Sequence, residues 1–307
     1  MIKREFKLSL VKIGKFIVVF LIADFLLGTM SKQLFFNQET GKYARSTHAI
    51  KKSEDNVLIF GSSHAHRHYV PEVFEKELNK TCYNVGAEGQ QLLYHLALQQ
   101  MIFKRIKPKL IILNIDEGFL YSSKEAYDRL GDLHPYYEEY KDELRPILGL
   151  QSKLIDFKLF FKSYQTNSTI VHALRYHLSP QIDYKGYRPL FGKVALTNKS
   201  KMLKVNRREI DSNFVTALER FIDSAKKNDV DLVFVTSPKF DPIDNSENES
   251  FKKIMNIAVN ENVTVMDFFN SKQFLNQNDL FHDPSHLNDD GAKLFSKAVA
   301  NKIRNLK

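Results

Sequence analysis

Between residues 55 and 305 short apolar runs alternate with helical patterns, and few folds accept that alternation. The runs are 57–60 (Val-Leu-Ile-Phe), 82–85 (Cys-Tyr-Asn-Val), 110–113 (Leu-Ile-Ile-Leu), 231–236 (Asp-Leu-Val-Phe-Val-Thr) and 263–266 (Val-Thr-Val-Met). Helical spacing of apolar residues follows over 71–78, 90–104, 212–227, 247–260 and 289–303. A strand that is apolar along its whole length is buried on both faces, the habit of a parallel sheet held between helices. The expected architecture is therefore a three-layer α/β/α domain over 55–307. In such sheets ligands bind beyond the carboxyl ends of the strands. Ser63, Gly89, Asn114, Ser237 and Asp283 all fall just past expected strand ends.

The alternation breaks between about 118 and 210, where Tyr- and Lys-rich helical stretches and an irregular segment around Ser179-Pro180 read as a helical insertion or lid. With 307 residues, 43% of them hydrophobic, the chain buries a full core even with that insertion. Residues 31–54 read as a polar linker.

The N-terminus differs in kind. Lys3, Arg4, Lys7, Lys12 and Lys15 precede an apolar run from Phe16 to Met30, interrupted by Asp24. Extended back to Leu8, the run reaches the length of a membrane span. No small-residue cleavage site follows, so residues 1–30 are expected to be a retained transmembrane anchor. The charge placed before the run predicts a single pass with the N-terminus cytoplasmic and the remaining chain extracytoplasmic. An amphipathic surface helix is the alternative. Asp24 marks either a contact with another membrane protein or a position near the interface.

Elsewhere the charge is mild. Of the net +9, residues 1–32 carry +4 and the remaining 275 residues +5 without a basic stripe, which argues against nucleic-acid binding. The one cysteine, Cys82, excludes an internal disulfide and reads as a core residue.

Two segments carry chemistry. Gly61-Ser62-Ser63 places a serine at a strand-to-helix turn, and Asp283-Pro-Ser-His286 offers an imidazole and a carboxylate on one short loop. A serine hydroxyl becomes a nucleophile only when a base takes its proton, and the base needs a fixed tautomer. At the start of a helix Ser63 would also have backbone N–H groups near developing negative charge.

These segments resemble the SGNH hydrolase superfamily, the GDSL-type esterases, over roughly 55–120 and 210–305. Gly61-Ser62-Ser63 stands where the family has Gly-Asp-Ser. Asn84-Val-Gly86-Ala-Glu-Gly89 matches its oxyanion-hole glycine block, and Asp283-x-x-His286 its last block. The third block departs: Asn114-Ile-Asp116-Glu117 puts an aspartate where the family's asparagine donor belongs. The resemblance implies Ser63, His286 and Asp283 as catalytic residues, with Ser63, Gly89 and Asn114 as the oxyanion hole. No cofactor and no metal are implied.

Within the superfamily the weak third block, the Gly-Ser-Ser opening and the anchor resemble the membrane-anchored branch. That branch contains cell-envelope polysaccharide O-acetylation and D-alanyl-transfer proteins. It implies acyl ester hydrolysis or O-acyl transfer on an extracytoplasmic glycan, beside a membrane-bound O-acyltransferase. The alternatives are a catalytically silent SGNH-like domain that binds glycan or docks onto such an acyltransferase, and a plain carboxylesterase.

Each residue also has a plainer reading. Ser63 is an N-cap, Ser62 an adjacent candidate, and Asp283 with His286 a structural pair. His64-Ala-His66-Arg-His68 invites a metal reading, but without cysteine or an intervening glutamate these histidines fit solvent or substrate contact better. His64, Arg67 and Lys239 are the substrate-contact candidates, with Asp241 near the last. Tyr121, Tyr127, Tyr136, Tyr137 and Tyr140 read either as a sugar-stacking platform or as half-buried packing.

Overall fold

The computed structural model describes residues 2–195, 202–205 and 208–306, with the side chains of residues 2 and 3 excepted. In chain order the elements are α1 (Ile2–Phe36), α2 (Lys42–Lys51), β1 (Val57–Phe60), α3 (Ser63–His68), α4 (Pro71–Leu78), β2 (Cys82–Asn84) and α5 (Leu92–Phe103). Then come β3 (Leu110–Ile115), α6 (Lys124–Asp128), α7 (Lys141–Gln151), α8 (Ile155–Phe160), α9 (Ile170–Leu178), β4 (Leu203–Lys204) and α10 (Ser212–Lys227). The chain closes with β5 (Asp231–Thr236), β6 (Ile243–Asp244), α11 (Glu249–Asn260), β7 (Thr264–Met266) and α12 (Asp289–Arg304). It divides into a helical unit, Met1–Glu39 with Leu130–Pro180, and an α/β unit, Thr40–Arg129 with Gln181–Lys307.

The α/β unit is built on a five-stranded sheet in the order β2-β1-β3-β5-β7, parallel throughout. Side chains alternate across it with the period of a strand. Val57, Ile59, Leu110, Ile112, Val233 and Val235 share one core with Phe74 of α4 and Phe295 and Val299 of α12. Phe60, in the opposite phase, meets Phe221 of α10 edge-on at 5.4 Å between ring centroids. Helices therefore cover both faces, which is why the strands carry no polar face. A second, two-stranded parallel sheet joins β4 to β6. Strand order reverses direction at β1, flanked by β2 and β3, so their carboxyl ends open a crevice.

In the helical unit α1 is longer than the expected anchor, reaching Phe36. Asp24, on α1, is buried: its carboxylate accepts from the Lys162 and Ser163 N–H groups at 2.8 and 3.0 Å, and from the Ser163 hydroxyl at 2.5 Å. A carboxylate inside an apolar run is here held by protein donors. Among the described residues no helix is long and apolar enough to cross a membrane. Extending the run back to Leu8, as the expected span requires, takes Lys12 and Lys15 into it; the lysine-free part, Phe16 to Met30 with Asp24 included, is about 22 Å long at helical rise, short of a hydrocarbon core of about 30 Å. The single-pass span expected over 1–30 is corrected accordingly.

The polar linker expected over 31–54 is corrected too. It holds the end of α1 and all of α2, whose Tyr43, Ala44, Ala49 and Ile50 are buried. Among the described residues of 118–210 lie four α-helices, of which α7, α8 and α9 belong to the helical unit.

Candidate active site

The turn after β1 is shaped by Gly61. Its φ is +139°, and a Cβ there would stand 2.8 Å from the Asn114 Cβ and 2.9 Å from the Ala65 Cβ. Only glycine enters that gap at that backbone angle. The turn delivers Ser62 as the N-cap residue of α3 and Ser63 as its first residue.

The loop before α12 is fixed from several sides. The Asp283 carboxylate accepts the Ser285 and His286 N–H groups at 2.8 and 2.9 Å. His282 N–H donates to the His286 carbonyl at 2.8 Å, and Phe240 N–H to the Pro284 carbonyl at 3.1 Å. Leu287 N–H donates to Nε2 of buried His68 at 3.0 Å, and the Asn288 side chain caps α12 by accepting from Gly291 N–H at 3.0 Å. The proline-containing loop thus has little freedom left.

Although separated by more than two hundred positions, the two segments meet. Nε2 of His286 is 3.0 Å from the Ser63 hydroxyl, and Nδ1 of His286 is 3.0 Å from Oδ2 and 3.2 Å from Oδ1 of Asp283. Asp283 is acceptor-only when ionised, so Nδ1 carries the proton and Nε2 presents its lone pair to the serine. Burial opposes ionisation of Asp283, but the Ser285 N–H, His286 and its N–H outweigh it and hold the carboxyl below its usual range. His286 is pushed below the ordinary imidazole value, chiefly by burial and then by the neighbouring His64, with Asp283 opposing. A base kept neutral near pH 7 is the form that accepts a proton.

Ser63 and Gly89 line the same cavity, of about 510 Å³, whose walls also include Ser62, His64, Asp116 and Glu117. Among the described residues neither the Ser63 nor the Gly89 N–H is engaged in a hydrogen bond.

Asn114 stands elsewhere. It is fully buried, its carbonyl oxygen accepting from Tyr69 at 2.8 Å and Ser237 at 2.7 Å while its amide donates to Asp116 at 3.0 Å. Fully buried and outside the cavity's lining, with its carbonyl oxygen and one amide N–H committed, Asn114 offers no donor to the cavity, and the expectation of it as third oxyanion donor is corrected on that ground.

Asp116 anchors a second chain of polar groups. Its carboxylate accepts from the Ser62 hydroxyl and lies 2.6 Å from Nδ1 of His64. Nε2 of His64 is 3.2 Å from Nζ of Lys239, which pairs with Glu117 at 3.2 Å. His64 thus bridges the Asp116 carboxylate and the Lys239 ammonium through its two ring nitrogens. Burial opposes the Asp116 charge, yet His64, Lys239 and Ser62 hold its pKa at about 2. The His64 and His286 rings lie 5.3 Å apart, so the two chains run side by side. Sequence reasoning placed Asp116 only as a missing donor; nothing in the spacing of His64, Glu117 and Lys239 linked them.

The remaining candidates divide. His64 lines the cavity, whereas Arg67 does not: its guanidinium reaches the Arg188 carbonyl at 3.3 Å and Glu88 at 3.6 Å. Lys239 is buried behind His64. His66 and His68 are buried and held well below the ordinary imidazole value by desolvation. Among the described residues no three His, Cys, Asp or Glu side chains converge as a metal site. Tyr121, Tyr136, Tyr137 and Tyr140 are buried, and the Tyr121 and Tyr127 hydroxyls bond to Asn248 and Asp211 at 3.0 and 2.8 Å. That is the packing reading, not an open sugar platform.

No protein-family model matches the chain, and neither does any curated protein. Among solved structures it is similar, at 12% identity in each case, to three proteins. One from Desulfitobacterium hafniense is described as a lipolytic protein of the G-D-S-L family (TM-score 0.42, covering 80% of this chain and 97% of that one). Another is the acetyl xylan esterase AlAXEase (TM-score 0.40, 81% and 98%). The third, from Bacteroides fragilis, is described as an acylhydrolase (TM-score 0.37, 82% and 89%). These overlaps are too loose to carry a residue role from one chain to the other.

Proposed function

We propose that the α/β unit performs serine-dependent acyl ester chemistry of the SGNH type, hydrolysing or transferring an O-linked acyl group such as acetyl on an extracytoplasmic glycan. The observation that carries this reading is the contact between the Ser63 hydroxyl and Nε2 of His286, with Asp283 behind the ring. Ser63 attacks the ester carbonyl as its proton passes to His286. The Ser63 and Gly89 N–H groups receive the oxyanion. His286 then protonates the leaving alcohol, and water or a sugar hydroxyl, deprotonated by His286, releases the acyl group. A cavity of about 510 Å³ suits a small acylated sugar. In this reading the chain is attached to a membrane with the α/β unit outside the cytoplasm, beside a membrane-bound O-acyltransferase.

One observation favours a second reading, a silent domain that binds glycan or docks onto an acyltransferase. Asp116 stands ionised where a neutral donor is wanted, and Asn114 is unavailable to replace it.

The test treats the full chain with a serine-directed phosphonate and reads intact mass beside turnover of a short-chain acetyl ester. The esterase reading expects one adduct on the wild type, none on Ser63→Ala, and a loss of turnover of about 10³-fold in the variant. A folded wild type that neither labels nor turns over sinks that reading and leaves the silent domain.

A further inference from the structure

We propose that the helical unit as a whole, and not α1 alone, is a lipid-embedding module that seats α8 and α9 in an anionic bilayer beside α1. This deepens the membrane attachment proposed above and does not depend on the ester chemistry.

The starting observation is the bareness of α1. Every residue from Arg4 to Ala23 is exposed, including the unbroken apolar run from Phe16 to Ile22. Seven consecutive helical residues cover nearly two turns, so the apolar surface faces all directions. A protein partner or a second copy of the helix covers one stripe and leaves the others in water. A bilayer covers the whole circumference of any stretch of α1 that dips below the headgroups, without that stretch having to cross. Arg4, Lys7, Lys12 and Lys15 lie at the end that would meet headgroups, and all four are exposed. Cations at that position match anionic lipid.

The second observation is that exposed apolar surface continues onto neighbouring helices of the same unit. In α8, Ile155 and Leu159 point inward, while Phe157 and Phe160 are 65% and 67% exposed on the outside. Both rings meet Phe161 edge-on, and Phe161 meets Phe20 of α1 at 5.8 Å, so the patch is continuous with the bare helix. On α9, Val171, Leu174 and Leu178 are exposed at helical spacing, and His177 bonds to the Leu34 carbonyl of α1 at 2.8 Å. Most of the large apolar side chains exposed among the described residues belong to this unit. Patches of that extent mark an interaction surface.

The full chain, with Cys82→Ala to remove the one native thiol, is labelled with an environment-sensitive fluorophore at Ile17→Cys, Phe157→Cys, Val171→Cys or Lys253→Cys. Each is mixed with vesicles of phosphatidylcholine alone or with phosphatidylglycerol, with and without a quencher confined to the acyl region. The proposal expects blue shifts and quenching at 17, 157 and 171, none at 253 in the α/β unit, and several-fold weaker binding without the anionic lipid. A shift at 17 with none at 157 and 171 overturns the module and keeps attachment through α1. Absence of any shift overturns attachment itself. Shifts at 157 and 171 that appear with protein concentration and without lipid assign the surface to a second copy instead. None of these outcomes alters phosphonate labelling of Ser63, so failure here and failure of the esterase reading are separable.

Discussion

Asp116 holds His64 by its Nδ1 at 2.6 Å, and by that contact a carboxylate occupies the rim of a serine–histidine site without facing it as a bare charge. Both of its oxygens are occupied, one by His64 and the Asn114 amide, the other by the Ser62 hydroxyl. Its pKa of about 2 lies below the reference of 3.8, so the network adds stability that is fully present above about pH 4. The contribution, about 2 kcal/mol, fades as pH falls toward 2. Urea unfolding of wild type and Asp116→Ala should therefore show a gap that narrows through the acid range. A gap of constant size from neutral pH down to about pH 2.5 would remove Asp116 as an ionised anchor.

Asn114 gives a sharper discrimination. Removing it takes away the acceptor that the buried Tyr69 and Ser237 hydroxyls share, and a buried group that loses its partner costs about 1–3 kcal/mol. Asn114→Ala should lower the unfolding midpoint clearly, while the fraction still folded labels at Ser63 at close to the wild-type rate. Were Asn114 an oxyanion donor, the variant would instead lose turnover by about 10²-fold or more at little cost in stability.

The contrast between those two residues shows where the sequence was readable. Strands such as 57–60 and 110–113 are apolar through and through, so their burial on both faces of a parallel sheet was readable from composition, whereas their order in the sheet was not. Ser63, Asp283 and His286 were readable because local motifs with a chemical purpose mark them, and the fold brings their side chains together. The Asp116–His64–Lys239–Glu117 chain was not, because it depends on how β1, β3 and β5 align their carboxyl ends, a register no single segment encodes. Residues 42–51 read as linker because Lys42, Arg45, Ser46, Thr47 and Lys51 mask the apolar side of α2. The burial of Asp24 was likewise invisible, since its donors lie 138 and 139 positions away.

His286 sets the pH dependence. Burial, then His64, lowers its pKa below 6.5, and Asp283 works the other way. The acidic limb of kcat/KM should accordingly lie below pH 6.5, where protonation of the base ends activity. Asp283→Asn removes the group that favours the imidazolium, so the residual limb moves to still lower pH. It also releases the ring tautomer, with turnover falling by about 10⁴-fold. A limb that stays in place in the variant would mean that another group governs it.

Two glycines near the serine are expected to respond differently to an added methyl. At Gly61 the methyl meets the Asn114 and Ala65 side chains inside the core, at a φ of +139°. Neither neighbour has room to retreat, and Gly61→Ala should destabilise the fold by about 2–4 kcal/mol. At Gly89, with φ +72°, the methyl meets only the tip of the Arg129 side chain, 1.7 Å from its Nη1. That flexible end moves aside, leaving a backbone cost of about 1 kcal/mol. Yet the strain acts on the peptide whose N–H is proposed to hold the oxyanion. Gly89→Ala should then keep most of its stability while losing about tenfold or more in kcat, with KM little changed. Thermal unfolding and steady-state kinetics on the two variants check the pair. If Gly89→Ala turned over like wild type, the second oxyanion donor would have to be sought elsewhere along the cavity wall.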